Sequence, residues 1–364
     1  MTEKIKKIKQ WLEKNDSRLA YITDPTNIFY LTGFKCNPHE RFLGLFVFPE
    51  DEPFIVCPEL EVGQARAAFA GKVIGYRDDQ DPWAAVGKAL DKKKQNGEKI
   101  AIEPSTLPYK NAVILSDLYE SPAFISIEGL LSSMRSVKSR AELDAMKKAG
   151  EIADYAVQIG VNAIKKGRTE RAIIAEIEYE LAKHGYSEMA FDTMVLTGEN
   201  SAAPHGYPGT RQIKEGDFVL FDLGVVVNGY CSDITRTVCY KHATDDQIKI
   251  YNTCLQANRA AIQVVRKGLR IGDLDGTARK VISEAGYGHY FTHRLGHGLG
   301  LGEHEAPSMS ADNDKTLTTG MVFTIEPGIY VPDLGGVRIE DDIYLSEDGP
   351  VTLTHYSKDL QIIQ

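Results

Sequence analysis

The sequence predicts an α+β chain in two parts: an α/β amino-terminal domain over residues 1–132 and, over 133–364, a domain of two like α+β halves. Three observations carry that prediction. Short β-rich runs alternate with helical stretches through the first part. Around "LLSSMRSVKSRAELDAMKKAG" the pattern changes to long amphipathic helices. Beyond it, "AIKKGRTERAIIAEIEYELAKHGY" (163–186) aligns without gaps on "VVRKGLRIGDLDGTARKVISEAGY" (264–287), an offset of 101 residues.

Taken in order, "MTEKIKKIKQWLEKN" reads as an amphipathic charged helix and lacks the apolar core of a signal peptide. Strands are expected at "RLAYIT", "LGLFVF", "FIVC", "KVIGY" and "KIAIE", and helices at "ELEVGQARAAFAG" and "DPWAAVGKALDKKKQ". This first part carries no glycine-rich phosphate loop and no catalytic cluster. In the second part each copy of the repeat has a Lys-Gly stop, a loop, an amphipathic helix and a Gly-Tyr terminator. Two copies at so long a period exclude a solenoid and imply two halves about a pseudo-twofold axis. An apolar hairpin bearing acids follows each copy: "VLFDLGVVVNGYCSDITRTV" and "VFTIEPGIYVPDLGGVRIEDDIYL".

A chain of 364 residues suffices for two ordinary domains, each with its own core. A formal charge of −9 argues against nucleic acid or an anionic membrane as the main partner. No apolar run approaches the ~20 residues that a membrane span needs. Five cysteines, odd in number and without a CxxC pair, suit a reduced cytoplasm and give neither a zinc knuckle nor a disulfide framework.

The first hairpin poses a chemical problem. Asn228-Gly229 is the favoured pair for a type I′ turn, and a turn there sets Val227 opposite Tyr230, Val225 opposite Ser232, Gly224 opposite Asp233 and Asp222 opposite Thr235. Asp222 and Asp233 then share a face as diagonal neighbours ~7–8 Å apart. Two carboxylates inside an apolar hairpin repel each other and lose hydration, so a shared cation is expected. The second hairpin adds Glu326 and Glu340. "THRLGHGLGLGEHEAP" (292–307) supplies His293, His297 and His304, three of the chain's nine histidines within twelve residues. His293 and His297 are four apart, but Arg294 stands where a zinc-protease helix needs Glu, and the glycines at 296, 298, 300 and 302 oppose a helix. An extended segment puts both on one side. His205, in the loop "SAAPHGYPG", lies just upstream of the aspartate hairpin. Four carboxylates with one imidazole and no thiolate suit Mn2+ or Co2+, with Zn2+ a weaker fit. Two divalent ions bridged by carboxylates balance that charge and supply a bridging hydroxide.

These residues, in the order Asp222, Asp233, His297, Glu326 and Glu340 within "DLG…SDITRT", "HRLGHG", "TIEPGIY" and "VRIEDD", resemble the pita-bread metallopeptidases. Residues 133–364 resemble that catalytic domain. Residues 1–132 resemble the amino-terminal domain shared by prolidases, aminopeptidase P and creatinase. Over the whole chain the resemblance is to bacterial Xaa-Pro dipeptidases, the prolidases. The resemblance implies that Asp222 chelates one metal, Asp233 and Glu340 bridge both, and His297 and Glu326 complete the other site. It further implies that Glu326 handles the proton, that His205 and His304 polarise the scissile carbonyl and hold the substrate, and that His293 and Arg338 support and contact it. Larger prolidases carry a carboxylate-anchoring arginine between the "GHG" and "EPG" motifs, whereas "SMSADNDKTLTTG" has none.

The expected activity is therefore hydrolysis of Xaa-Pro dipeptides by a cytoplasmic homodimer, without nucleic acid or membrane partners. Aminopeptidase P, acting on longer Xaa-Pro-Yaa peptides, uses the same ligands and is the alternative. A metal-free creatinase-type hydrolase or a non-enzymatic pita-bread module would lack the ligand set. The loop "TGFKCNPHERF" (32–42), with Lys35, His39, Glu40 and Arg41, is expected to reach across the dimer and select substrate length, with Arg294 as its contact.

Overall fold

A computed structural model describes residues 2–90, 99–119 and 121–364. The described residues form two compact units, 1–134 and 135–364.

In the first unit the amphipathic start folds as α1 (Glu3–Lys14), capped by the Thr2 hydroxyl and burying Ile5, Ile8 and Leu12 along one stripe. A six-stranded sheet follows, built from β1 (Ser17–Ile22), β2 (Gly44–Val47), β3 (Phe54–Pro58), β4 (Lys72–Tyr76), β5 (Lys99–Ile102) and β6 (Ala123–Ser126). Its spatial order is β4-β3-β2-β1-β5-β6. The β1–β2 and β2–β3 pairs are antiparallel and the others parallel. All five expected strands are present.

The two helices expected beyond α1 are both modified. The stretch 59–71 splits into a 3-10 turn, Glu59–Glu61, and α3 (Val62–Ala68). The stretch 81–95 is helical as α4 (Pro82–Leu90), and its residues 91–95 lie outside the described ones. Beyond it the chain forms α5 (Tyr109–Leu118), which was not expected, and α6 (Glu128–Ser136), which opens the stretch where the pattern turns helical. An unexpected helix, α2 (Pro25–Thr32), separates β1 from the loop at 32–42; Asp24 caps it, Pro25 opens it and Gly33 ends it at φ +81°. In that loop Arg41 is tied to Asp78 of its own unit by paired bonds of 2.9 and 3.0 Å.

In the second unit the repeat is real. The helices α7 (Arg140–Asn162) and α8 (Glu170–Lys183) recur as α9 (Asp245–Val264) and α10 (Ile271–Glu284). Gly167 and Gly268 occupy matching left-handed positions at φ +78° and +80°, as do Gly185 and Gly286 at +84° and +89°. Each pair of helices accompanies a sheet that is antiparallel throughout, except where Cys239 and Tyr240 pair parallel with Ile362 and Ile363 in the first. The first comprises β7 (Met194–Thr197), β8 (Phe218–Leu223), β11 (Ile234–Tyr240) and β19 (Ile362–Ile363) in the order β19-β11-β8-β7, with β9 (Val226–Val227) and β10 (Tyr230–Cys231) forming the hairpin tip. The second comprises β12 (Gly296–Gly298), β13 (Glu305–Met309), β14 (Val322–Ile325), β17 (Asp341–Ser346) and β18 (Gly349–Thr352) in the order β13-β12-β14-β17-β18. Between β14 and β17 the chain makes a further pair, β15 (Gly328–Val331) with β16 (Gly335–Arg338).

The first hairpin has the register its turn dictates. Asn228 and Gly229 sit at φ +52° and +84°, Val227 pairs with Tyr230, and Asp222 pairs with Thr235. Gly224 is required where the strands bend, because a Cβ there would lie 2.0 Å from the Ser232 carbonyl oxygen. Among the described residues no helix is long and apolar enough to cross a membrane.

Candidate active site

All nine sequence-predicted residues (His205, Asp222, Asp233, His293, His297, His304, Glu326, Arg338 and Glu340) line one cavity of about 440 Å³ in the second unit. Strand ends supply most of them. Asp222 is near the end of β8 and Asp233 immediately precedes β11; Glu326 follows β14, and Glu340 lies between β16 and β17. His297 is central in β12, so the segment is extended as its glycines required. His205 lies in the loop after a 3-10 turn, Gly198–Ala202.

Two glutamates face the cavity because the ladder opens between them. The last β14–β17 pair is Ile325 with Asp341, and the β15–β16 ladder resumes at Gly328 with Arg338. In the gap the Glu326 N–H donates to Leu295 and the Glu340 N–H to Thr235. The Glu326 amide is thus held by the residue just before β12 and the Glu340 amide by β11.

The ligand atoms of Asp233, His297 and Glu340 lie within 4.8 Å of one another, and all three residues are buried. His297 Nε2 is 3.7 Å from Asp233 Oδ2 and 3.3 Å from Glu326 Oε1. Thr235 donates to Glu340 Oε2 at 2.6 Å. Burial holds the Asp233 and Glu340 carboxyls well above the usual carboxylate range, and repulsion from neighbouring acids adds to it. Burial also pushes Glu326 upward, but its hydrogen bond and attraction to His297, with further help from His293 and Arg338, bring it below its ordinary value. Asp233 Oδ1 and Glu340 Oε1 are buried without a hydrogen-bond partner. Buried carboxyls crowded against an imidazole and one another, two of them with an oxygen left unpartnered, fit a divalent cation that would offset their charge.

Asp222 is placed differently. Arg338 Nη2 bonds its Oδ2, and burial raises the carboxyl despite that partner. Arg338 also donates to Thr235 at 3.0 Å and to the Tyr330 hydroxyl at 2.9 Å, so its guanidinium is engaged by the protein on every side described. His293 Nε2 lies 2.9 Å from the same Tyr330 hydroxyl, and burial lowers its basicity. The rings of His297 and His304 meet edge to face, with centroids 4.3 Å apart.

Phe191, Pro204, Glu303 and Tyr330 also line the cavity, and none was singled out from sequence. Tyr330 lies inside the "EPGIY" motif, where a hydroxyl within an apolar strand was the available signal. Glu303 sits beside His304 in a segment already marked by its histidines.

Two like α+β halves around one acidic, histidine-bearing cavity define the pita-bread class of hydrolases. The chain belongs to metallopeptidase family M24, whose profile matches residues 144–347, and the creatinase/prolidase N-terminal domain matches residues 4–137. Divalent metal ions are implied by that family. The chain is 51% identical over 361 residues to a Bacillus subtilis (strain 168) protein named "Putative dipeptidase YkvY", covering 99% of each. It is 36% identical to the prolidase from Pyrococcus horikoshii OT3, with a TM-score of 0.91 over 99% of this chain and 100% of that one. It is 31% identical to the X-Pro aminopeptidase from Thermotoga maritima MSB8, with a TM-score of 0.86 over 95% and 98%.

Proposed function

We propose that this chain hydrolyses Xaa-Pro dipeptides and releases proline, with two divalent ions held by Asp222, Asp233, His297, Glu326 and Glu340. The observation that carries the metal reading is the pair of unpartnered carboxylate oxygens on Asp233 and Glu340, inside the cavity that the other three residues also line. Mn2+ is the proposed native ion, with Co2+ as substitute and Zn2+ as a weaker fit, because the donors are carboxylates and one imidazole. Bound there, divalent ions supply water that ionises at neutral pH and Lewis-acid polarisation of the scissile carbonyl.

The protein's own groups do the remainder. Glu326 takes the proton of the attacking water and delivers it to the leaving proline nitrogen. His205 and His304, on loops that border the cavity, donate to the oxyanion of the tetrahedral intermediate. Arg338 and His293 meet at the Tyr330 hydroxyl and fix the wall against which the substrate rests.

Names of relatives support a dipeptidase, and the cavity of about 440 Å³ has the volume expected for a small ligand. Five free cysteines support the reduced cytoplasm as its compartment. We further propose a homodimer in which the loop at 32–42 helps select substrate length. Arg41 then acts by shaping the loop through Asp78, leaving contact to its neighbours.

Turnover of Xaa-Pro and Xaa-Pro-Yaa by enzyme of defined metal content tests the reading. The dipeptide is expected to be the better substrate, with activity lost on chelation and restored by Mn2+. A preference for the tripeptide would make the enzyme an aminopeptidase P. Full activity after chelation would overturn the metal assignment.

A further inference from the structure

Asn258 is fully buried on α9, behind the two glutamates and outside the cavity. Its side-chain nitrogen donates to the carbonyl of Ile325 at 3.1 Å and to that of Ile339 at 3.2 Å. Those residues immediately precede Glu326 and Glu340. One carboxamide therefore bridges the two strands at the point where their ladder opens. One turn earlier on α9, Cys254 Sγ lies 3.0 Å from the Pro327 carbonyl oxygen and extends the same contact.

The orientation of that carboxamide is set by chemistry. Lys358 Nζ lies 3.1 Å from Asn258 Oδ1 and 2.7 Å from Asp341 Oδ2. An ammonium group only donates, so the Asn258 oxygen faces Lys358 and the NH2 faces the two carbonyls. Arg236, reaching over from β11, binds the other oxygen of Asp341 at 2.7 Å and also donates to the Glu340 carbonyl. Carried back along the 101-residue repeat, the position of Asn258 falls on Val157 of α7, in an apolar cluster. The carboxamide is thus peculiar to the second half.

We propose that Asn258, oriented by Lys358, is a positioning residue that fixes the separation of Glu326 and Glu340 and so sets the affinity of the site for divalent metal. This rests on the metal reading above. Groups that orient ligands from outside a metal site typically alter its affinity 10–100-fold when removed. Asn258→Leu keeps the volume and deletes the bonds to both carbonyls, together with a 3.3 Å bond that the same nitrogen donates to Asp341 Oδ2. Lys358→Met, at a partly exposed side chain, leaves Asn258 in place and removes what orients it.

The test is Co2+ binding by equilibrium dialysis on folded protein, alongside thermal unfolding of metal-free samples. Asn258→Leu is expected to bind Co2+ at least ~10-fold more weakly than wild type, and Lys358→Met to weaken it in the same direction but less. A residue that only stabilises the core would lower the melting temperature and leave the affinity of the folded protein unchanged. Wild-type affinity in both variants overturns the proposal. If Asn258→Leu does not fold, the Lys358→Met isotherm decides alone. Failure of wild type itself to bind Co2+ would instead overturn the metal reading.

Discussion

In the first half of the carboxy-terminal unit, α7 backs the hairpin with apolar side chains: Val157 packs in one cluster with Val219, Phe221, Ile234 and Val238. In the second half, α9 also packs apolar side chains such as Cys254, Ala257 and Ala261 against the corresponding hairpin. Among them, however, it sets Asn258, bonded to Lys358 and Asp341 and through Asp341 to Arg236. The difference follows from the ladders. From Cys239 with Phe218 to Ile234 with Leu223, the first hairpin pairs without a break. Where it opens beyond, the Asp233 N–H donates to Asp342 and the Gly224 carbonyl accepts from Ala190, so behind the ladder apolar burial suffices. The second opens at Glu326 and Glu340, leaving carbonyls that need donors from elsewhere. Aiming two carboxylates inward from facing strands therefore requires polar groups in the core behind them.

The comparison is sharpened most by removing one acid that the two halves bring together. Asp233 belongs to the first hairpin, yet its N–H donates to Asp342 of the second at 3.0 Å and its carboxyl faces Glu340. Asp233→Asn keeps the shape and removes a charge that the proposed metals share. Turnover should fall by more than ~1,000-fold, with circular dichroism unchanged, in keeping with the loss of a group acting on the reacting centre. Near-normal turnover would mean that the two hairpins do not act as one site.

A smaller effect is expected where the second half is tied to the chain entering the first. Glu305 of β13 is bonded by Arg135, lies 3.4 Å from Lys138 Nζ and accepts from Gly302 at 3.0 Å. Burial pushes its carboxyl upward, but attraction to Lys138 and Arg135 overcomes this and holds it below its ordinary 4.5. A carboxyl with a depressed value in the folded state gives stability that is fully present above its unfolded value and lost as pH falls through the folded one. Glu305→Gln leaves the buried Lys138 ammonium without its anion and should cost about 4 kcal/mol at neutral pH. The gap between the wild-type and variant unfolding curves should narrow as pH drops below about 4.5, because acid makes the same change in wild type. A gap that stays constant through acid would show that the charge pair is not its source.

How much of this was legible in the sequence depended on the range over which each feature is determined. The register that pairs Asp222 with Thr235 is set by a local turn, Asn228-Gly229, and could be read directly. The two halves were legible because Lys-Gly and Gly-Tyr mark helix boundaries by left-handed geometry. Polar groups supporting the site were not. Thr235 meets Glu340 across 105 residues, and His293 meets Tyr330 across 37. A threonine in a strand or an asparagine in an amphipathic helix carries no local sign of such partners. In the amino-terminal unit, β6 escaped because its first two residues, Ala123 and Phe124, are exposed at a sheet edge and dilute the apolar pattern. The helix α2 does carry a local signal, Asp24-Pro25 at its start and Gly33 at its end, within a sequence too short and too apolar on all sides to show helical periodicity.

The smallest effect comes from exchanging the two backings directly. Val157→Asn places in the first half the residue type that the second half uses. Val157 is fully buried, and the strands before it are already paired, so a carboxamide there would find no orphaned carbonyl like those of Ile325 and Ile339. The variant loses the burial of an isopropyl group and leaves buried amide hydrogens without acceptors, at a combined cost of about 3 kcal/mol. Because no ligand in the first hairpin depends on Val157 for its spacing, Co2+ affinity of the folded variant should match wild type. Chemical denaturation and Co2+ dialysis on one preparation read both quantities. Unchanged stability would show that the first half tolerates a polar backing, and the contrast between the halves would then have no energetic basis. Weakened Co2+ binding at unchanged fold would show instead that α7, like α9, sets the spacing of the acids.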